Sequence, residues 1–283
     1  LSTQSLVNHE LPLVENLVRE AGQLVRHFYD KGATVHWKGD GDPVTAADEA
    51  ANEHLVTGLQ SLFPTDGILA EESTDDLTRL ARHRLWLVDP LDGTKEFVSH
   101  IDEFSIMVGL AIDGIPVLGV VYQPVQDLLL RAVPGMLAQL VQRDSMRPLA
   151  VTNTADPAAM RLVASRSHRN PLVDGVRRRL GLTQERPSGS VGLKVALLAT
   201  GQCDLYIHPA PGLKEWDTCA PDAILRAAGG IMTDAWGRPL AYNQRDHRQR
   251  QGLVASNGQI HDQIVNAVAT LAEADGYQAG NGF

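Results

Sequence analysis

Four consecutive apolar residues, Leu85-Trp86-Leu87-Val88, run straight into Asp89-Pro90-Leu91-Asp92-Gly93-Thr94, and this junction constrains the fold more than any other stretch. A short run with no polar alternation reads as a strand buried on both faces. Such strands belong to sheets covered by helices, and in open α/β sheets sites gather at the strand ends. Pro90 cannot donate to a ladder, so the strand is expected to stop at Asp89. Residues 68–70 repeat the pattern and end on Glu71-Glu72.

The flanking sequence supplies the helices. Leu6, Leu13, Leu17, Leu24 and Phe28, with Val14, Val18, Ala21 and Val25 between them, predict one amphipathic helix ending near Lys31-Gly32. A Gly-rich turn over Lys38-Gly39-Asp40-Gly41-Asp42-Pro43 leads to a second helix over 46–62, closed by Pro64 and Gly67. Strands are expected over 105–112, 117–122 and 128–133. A composition shift near 142–157 reads as a boundary or surface crossover. Beyond it the spacing predicts strands at 161–164, 203–207, 231–233 and 252–255, and helices at 172–180, 191–199, 218–228 and 260–271. Pairs of sheets separated by helix layers bury such a mixture. We expect an N-terminal α+β domain over 1–145, carrying most of the acidic candidates, and a C-terminal α/β domain over 146–283.

Charge narrows the function. Among 283 residues, 25 basic against 34 acidic side chains give a net charge of -9, which argues against a nucleic-acid polymer as partner. A small anion remains compatible if something positive sits locally. Two cysteines, Cys203 and Cys219, make no disulfide framework and suit a reducing compartment; buried thiols are expected. No apolar run reaches the roughly 18 residues of a membrane span, and residues 1–10 lack the order of a signal peptide. The expected address is the cytoplasm. A Gly-rich nucleotide fingerprint and a Walker sequence are both missing.

Four acidic clusters stand out: Asp48 after Asp42-Pro43-Val44-Thr45, Glu71-Glu72, Asp89 with Asp92, and Glu215-Trp216-Asp217. Asp89 and Asp92 repel each other unless cations or protons are supplied, and hard oxygen ligands suit Mg²⁺. Gly93 permits a tight turn and Thr94 can cap a helix through its hydroxyl, leaving N–H groups for an anion. On the residues alone two readings stand, metal-dependent phosphoester chemistry or ordinary turn and cap roles.

Asp89-Pro90-Leu91-Asp92-Gly93-Thr94, Glu71-Glu72-Ser73, and Trp216-Asp217 with Ala220-Pro221 resemble the metal-site motifs of the inositol monophosphatase-like superfamily, in matching order from Lys38 to Gly258. The resemblance implies a layered α/β/α/β/α sandwich of the sugar-phosphatase type and a Mg²⁺-dependent phosphomonoesterase with two to three ions. It implies that Glu71, Asp89 and the Leu91 carbonyl hold one ion, that Asp89, Asp92 and Asp217 hold another, and that a weaker third lies near Glu71. Asp48 and Thr45, with Glu71, would then orient and deprotonate the attacking water, Gly93 and Thr94 amides would receive the phosphate, and Glu72 would support a ligand. Inhibition by Li⁺ is common in the superfamily.

Lys95-Glu96-Phe97, Ser165-Arg166-Ser167-His168 and Trp216-Asp217-Thr218-Cys219-Ala220-Pro221 further resemble the 3'(2'),5'-bisphosphate nucleotidase branch, called the CysQ type in bacteria. This implies removal of the 3'-phosphate of adenosine 3',5'-bisphosphate, giving AMP and phosphate, with adenosine 3'-phosphate 5'-phosphosulfate as a second substrate. A second phosphate needs basic groups, for which Lys194, Arg166 and His168 are candidates, with Ser165 beside them and Asp217 facing the substrate. Ser188-Gly189-Ser190-Val191-Gly192-Leu193-Lys194 reads as a helix start facing that ligand. Lys38 is either a basic residue near the phosphate or a solvated turn lysine. Tyr206, Trp37 and Trp216 are expected to pack. An inositol-1-phosphate phosphatase is the enzymatic alternative, and a phosphonucleotide sensor without turnover the non-enzymatic one. The partner is a small phosphorylated nucleotide or sugar alcohol, with no membrane, and the chain a monomer or homodimer.

Overall fold

The computed structural model describes residues 3–37, 43–133, 135–143 and 145–280. The turn read at 38–42, with Lys38, lies outside them. Helix α1 spans Thr3–Lys31, followed by the small hairpin β1 (Val35–Trp37) and β2 (Pro43–Thr45), and α2 (Ala46–Leu62). Strands β3 (Gly67–Ala70) and β4 (Arg84–Asp92) lead through the short helix α3 (Thr94–Val98) to β5 (Ser105–Ile112), β6 (Ile115–Gln123), β7 (Leu128–Ala132), β8 (Gln139–Gln142) and β9 (Ser145–Pro148). The later elements are β10 (Arg161–Ser165), α4 (Pro171–Leu180), β11 (Gln184–Ser188), α5 (Val191–Ala199), β12 (Leu205–His208), α6 (Glu215–Ala227), β13 (Ile231–Thr233), β14 (Leu253–Ser256) and α7 (His261–Ala274).

Strands β3 to β9 form one seven-stranded sheet in chain order, while the second sheet has the order β11-β10-β12-β14-β13. Alternation along β4 decides the layers. Trp86 and Val88 pack with α1 and α2 through Val14, Val18, Leu55 and Leu59. Leu85 and Leu87 face the other way, against Val195, Trp216, Cys219 and Leu225 of α5 and α6. Those two helices also cover Val163, Tyr206 and Ala255 of the second sheet. Its outer face, Leu162, Leu205 and Val254, packs on Leu172 and Val176 of α4 and Ile264 and Val268 of α7. The order is therefore helix, sheet, helix, sheet, helix.

Helix α6 lies close on the first sheet because Gly119 has no side chain; a Cβ there would come within 2.3 Å of the Ala220 carbonyl oxygen. Both thiols are buried. Among the described residues no helix is long and apolar enough to cross a membrane.

Several local expectations are corrected. Strand β4 does not stop at Asp89 but reaches Asp92, with a register shift between the pairs Asp89↔Met107 and Asp92↔Ser105. Pro90 sits inside this bulge, where no ladder N–H is required of it. Thr94 does not cap α3: Gly93, with φ 99°, holds the cap position and Thr94 begins the helix. Helix α6 starts at Glu215 rather than near 218, so Asp217 lies in its first turn and not in a loop. The stretch from 142 onward is not all crossover, since β9 carries the first sheet to Pro148.

Candidate active site

Parallel pairing of β3 with β4 is the first cause of the site. The register Ala70↔Val88 brings the residues that follow, Glu71 and Asp89, out side by side, and the Glu71 N–H donates to the Val88 carbonyl at 3.1 Å. The bulge then turns Leu91, Asp92, Gly93 and Thr94 toward the same cavity of about 540 Å³, where Asp217 enters from α6. In the second sheet β10 runs parallel to β11 and β12. Their C-terminal ends deliver Ser165, His168, Gly189, Ser190, Lys194, Tyr206 and His208 to the opposite wall.

The carboxylates are crowded, and the deepest of them is dry. Asp89 is 1% exposed, and burial raises its pKa far above the ordinary value, with Glu71, Asp92 and Asp217 adding repulsion. Burial, then Asp92, pushes Asp217 up to about 7 against the opposing bond from the Lys214 N–H. That N–H lies 2.5 Å from Asp217 Oδ2 and fixes the carboxylate on the helix start. Among the described residues no three His, Cys, Asp or Glu side chains stand together as a group that could hold a metal ion. The cavity is nevertheless lined by buried Asp89, half-buried Glu71, Asp92 and Asp217, and Leu91. These are hard oxygen donors that fit Mg²⁺, which takes one or two carboxylates and keeps waters or phosphate oxygens for its other positions.

Asp92 is held differently. Burial raises it, but Lys194 and hydrogen bonds from the start of α5 oppose the shift. The Ser190 hydroxyl donates to Asp92 Oδ2 at 2.5 Å and the Gly192 N–H donates at 3.0 Å. Ser190 Oγ also accepts the Leu193 N–H at 3.1 Å and pairs with Ser105 Oγ at 2.9 Å. The helix start expected to face a ligand therefore receives Asp92 of the chain itself. Ser190 has φ 53° and ψ 134°, a conformation that costs a non-Gly residue roughly 1–3 kcal/mol. Lys194 is 4% exposed, and its ammonium stands 5.3 Å from the Tyr206 ring centre. Burial lowers its pKa while Asp92, Glu96, Glu103 and Asp217 work against that.

Asp48 and Thr45 do not line the cavity; they lie behind its wall. Thr45 caps α2, donating its N–H and hydroxyl to Asp48 Oδ2 at 2.8 and 2.6 Å and accepting the Ala47 N–H at 3.2 Å. Thr94 connects this pair to the cavity, its hydroxyl lying 3.2 Å from Asp48 Oδ1 and 3.1 Å from the Leu91 carbonyl. Burial raises Asp48 to about 6, with Thr45 pulling it down and Glu72 pushing it up.

At the cavity mouth, Lys95 Nζ and His168 Nε2 are 3.0 Å apart, the His168 N–H donates to Ser165 Oγ at 3.1 Å, and the Ser167 hydroxyl bonds Glu96. Arg166 is not part of the lining: its guanidinium is engaged by Glu103 at 2.7 and 2.8 Å. Sequence reasoning passed over Glu103, Lys214 and His208. The signal for His208 was its place two residues after Tyr206, which puts both side chains on one face of β12. Among the described residues its buried Nε2 has no partner, and burial, then Lys194 and His168, lowers its pKa to about 4.

The model of the inositol monophosphatase family matches residues 9–273. A 3'(2'),5'-bisphosphate nucleotidase CysQ from Shigella flexneri is 38% identical over 249 residues, 87% of this chain and 99% of the relative. The namesake from Escherichia coli K12 is 38% identical over 257 residues, with the same shares. Among solved structures, CysQ from Bacteroides thetaiotaomicron superposes with a TM-score of 0.75 at 30% identity, covering 90% of this chain and 98% of that one. An IMPase from Thermotoga maritima gives 0.78 at 26% identity, covering 94% and 98%.

Proposed function

The chain belongs to the inositol monophosphatase family, and from that premise we propose that it is a Mg²⁺-dependent 3'(2'),5'-bisphosphate nucleotidase. Its substrate is adenosine 3',5'-bisphosphate, converted to AMP and phosphate, with adenosine 3'-phosphate 5'-phosphosulfate as a second. One observation carries the choice of branch. The two segments that resemble nucleotidases, Lys95-Glu96 and Ser165 to His168, meet each other at the mouth of the carboxylate cavity. The similarity to CysQ nucleotidases over nearly their whole length supports the same reading.

Two to three Mg²⁺ ions would be held by Glu71, Asp89, the Leu91 carbonyl, Asp92 and Asp217. When bound, Mg²⁺ neutralises attacking and leaving oxygens and raises the acidity of water. The residues of the chain do the rest. The Gly93 and Thr94 backbone orients the reacting phosphate at the start of α3, and Gly93 can supply its turn because its φ is positive. Asp48 is mostly ionised at neutral pH and serves as proton acceptor, reached from the cavity through Thr94 Oγ1 and steadied by Thr45. Glu71 lies beside Asp89 and shares in orienting the nucleophile. Lys194 gives the cavity wall a buried positive charge, and His168 with Ser165 lines the region open to the nucleoside. Arg166 supports this region through Glu103 and does not touch substrate.

The test is Mg²⁺-dependent phosphate release from adenosine 3',5'-bisphosphate and inositol-1-phosphate in parallel. The expected result is a higher kcat/KM for the nucleotide. Preference for the inositol ester would keep the metal chemistry and reject the branch.

A further inference from the structure

Asp92 is oriented by a turn that is itself held from outside the cavity, and Glu103 is where the holding contacts meet. The residue lies between α3 and β5. Its Oε2 accepts the Gly189 N–H at 2.7 Å and Arg166 Nε at 2.8 Å, while Oε1 accepts the second guanidinium nitrogen at 2.7 Å. The Arg166 N–H in turn donates to the Ser188 carbonyl at 3.1 Å. The backbone of Glu103 adds a steric contact: a Cβ on Gly93 would lie 2.9 Å from its carbonyl oxygen, and one on Gly189 would lie 2.6 Å from it. Glu103 thus touches the turn after Asp92 on one side and the turn before Ser190 on the other.

Ser190, directly after Gly189 in this turn, has φ 53°. A strained backbone persists where its surroundings over-determine it, and such strain gathers at functional sites. Here the strained residue aims its hydroxyl and the Gly192 N–H at one oxygen of Asp92. We propose that Glu103 is a positioning residue for Asp92, with Arg166 as its clamp, and that the path runs from Glu103 through Gly189 and Ser190 to the carboxylate. The inference rests on the reading of Asp92 as a Mg²⁺ ligand. It also gives Arg166 work other than binding a second phosphate.

The experiment is calorimetric titration of the full chain with MgCl₂ alone. Glu103→Ala is expected to weaken Mg²⁺ binding about tenfold, the low end of the loss when partners of a metal ligand are removed. Glu103→Gln, whose amide oxygen still accepts the Gly189 N–H, recovers most of that loss, and Arg166→Ala falls between. In an Asp92→Asn background Glu103→Ala changes nothing further, because it acts through the missing carboxylate. A merely structural role would lower the melting temperature equally in both backgrounds and leave Mg²⁺ affinity alone.

Affinity within about twofold of wild type for Glu103→Ala, or an undiminished effect in the Asp92→Asn background, overturns the inference. Should Glu103→Ala not fold, Arg166→Ala is judged by the same two criteria. A wild-type chain that binds no Mg²⁺ removes the metal reading and this inference together. One that binds Mg²⁺ but prefers inositol-1-phosphate removes only the substrate reading.

Discussion

At the scale of single residues, burial sets the chemistry. Asp89 lies among three other acidic side chains with almost no water, so its charge is a liability until a cation arrives. Asp89→Asn is expected to keep the fold and raise the melting temperature of the metal-free protein, while turnover falls roughly a thousandfold, the scale of losing one electrostatic stabiliser. A melting curve in EDTA beside a phosphate-release assay checks both. His208 makes a prediction of opposite sign. Its folded pKa of about 4 is below the ordinary histidine value, so between these limits the unfolded chain binds the extra proton. The stability associated with a neutral His208 is complete above about pH 6.5 and is lost as pH falls toward 4. Urea unfolding should show wild type losing about 2–3 kcal/mol relative to His208→Leu across that window. A constant difference between the two proteins would reject it.

Elements explain which features could be read from sequence. Helix α5 was legible to the residue, Val191–Ala199, because its apolar run is bounded by Ser190 and Thr200. The start of α6 was not, because Glu215-Trp216-Asp217 has no visible cap: the N–H of Lys214 bonds Asp217, and that is a product of folding. Strands β9 and β11 were missed for another reason. Both are edge strands with mostly polar or exposed residues, so no alternation marks them. Glu71, Asp89 and Asp92 were legible as types at strand ends, and Asp217 only as part of the motif Trp216-Asp217. The use of the α5 start by Asp92 was not, since nothing local tells which anion a helix terminus will receive. Two substitutions test these element-level causes. Thr45→Ala removes the α2 cap and should cost about 1–2 kcal/mol by chemical denaturation, with Thr45→Ser restoring most of it. Gly119→Ala should cost about 2–3 kcal/mol, because the added methyl meets backbone of α6 rather than a movable side chain.

On the scale of the whole molecule, the proposed Mg²⁺ ligands come from the first sheet and, through Asp217, from the middle helix layer, so on that proposal Mg²⁺ binds the assembled form and not its parts. At about a hundredfold excess over Kd this linkage contributes roughly 2.7 kcal/mol, which for a chain of this size is a rise of about 5 °C in melting temperature. Thermal melts with and without MgCl₂ measure it, and an unchanged midpoint would contradict the assembled site. The middle helix layer has a further consequence for the order of events in the cell. Leu85 and Leu87 of the early sheet wait for partners at Val195 and Leu225 of a later stretch of chain. During synthesis, at about 5–20 residues per second, that oily face stands bare for roughly 5 to 30 seconds. The nascent protein is thus most vulnerable to aggregation just before its central helices leave the ribosome, and this is the interval in which a chaperone has something to hold.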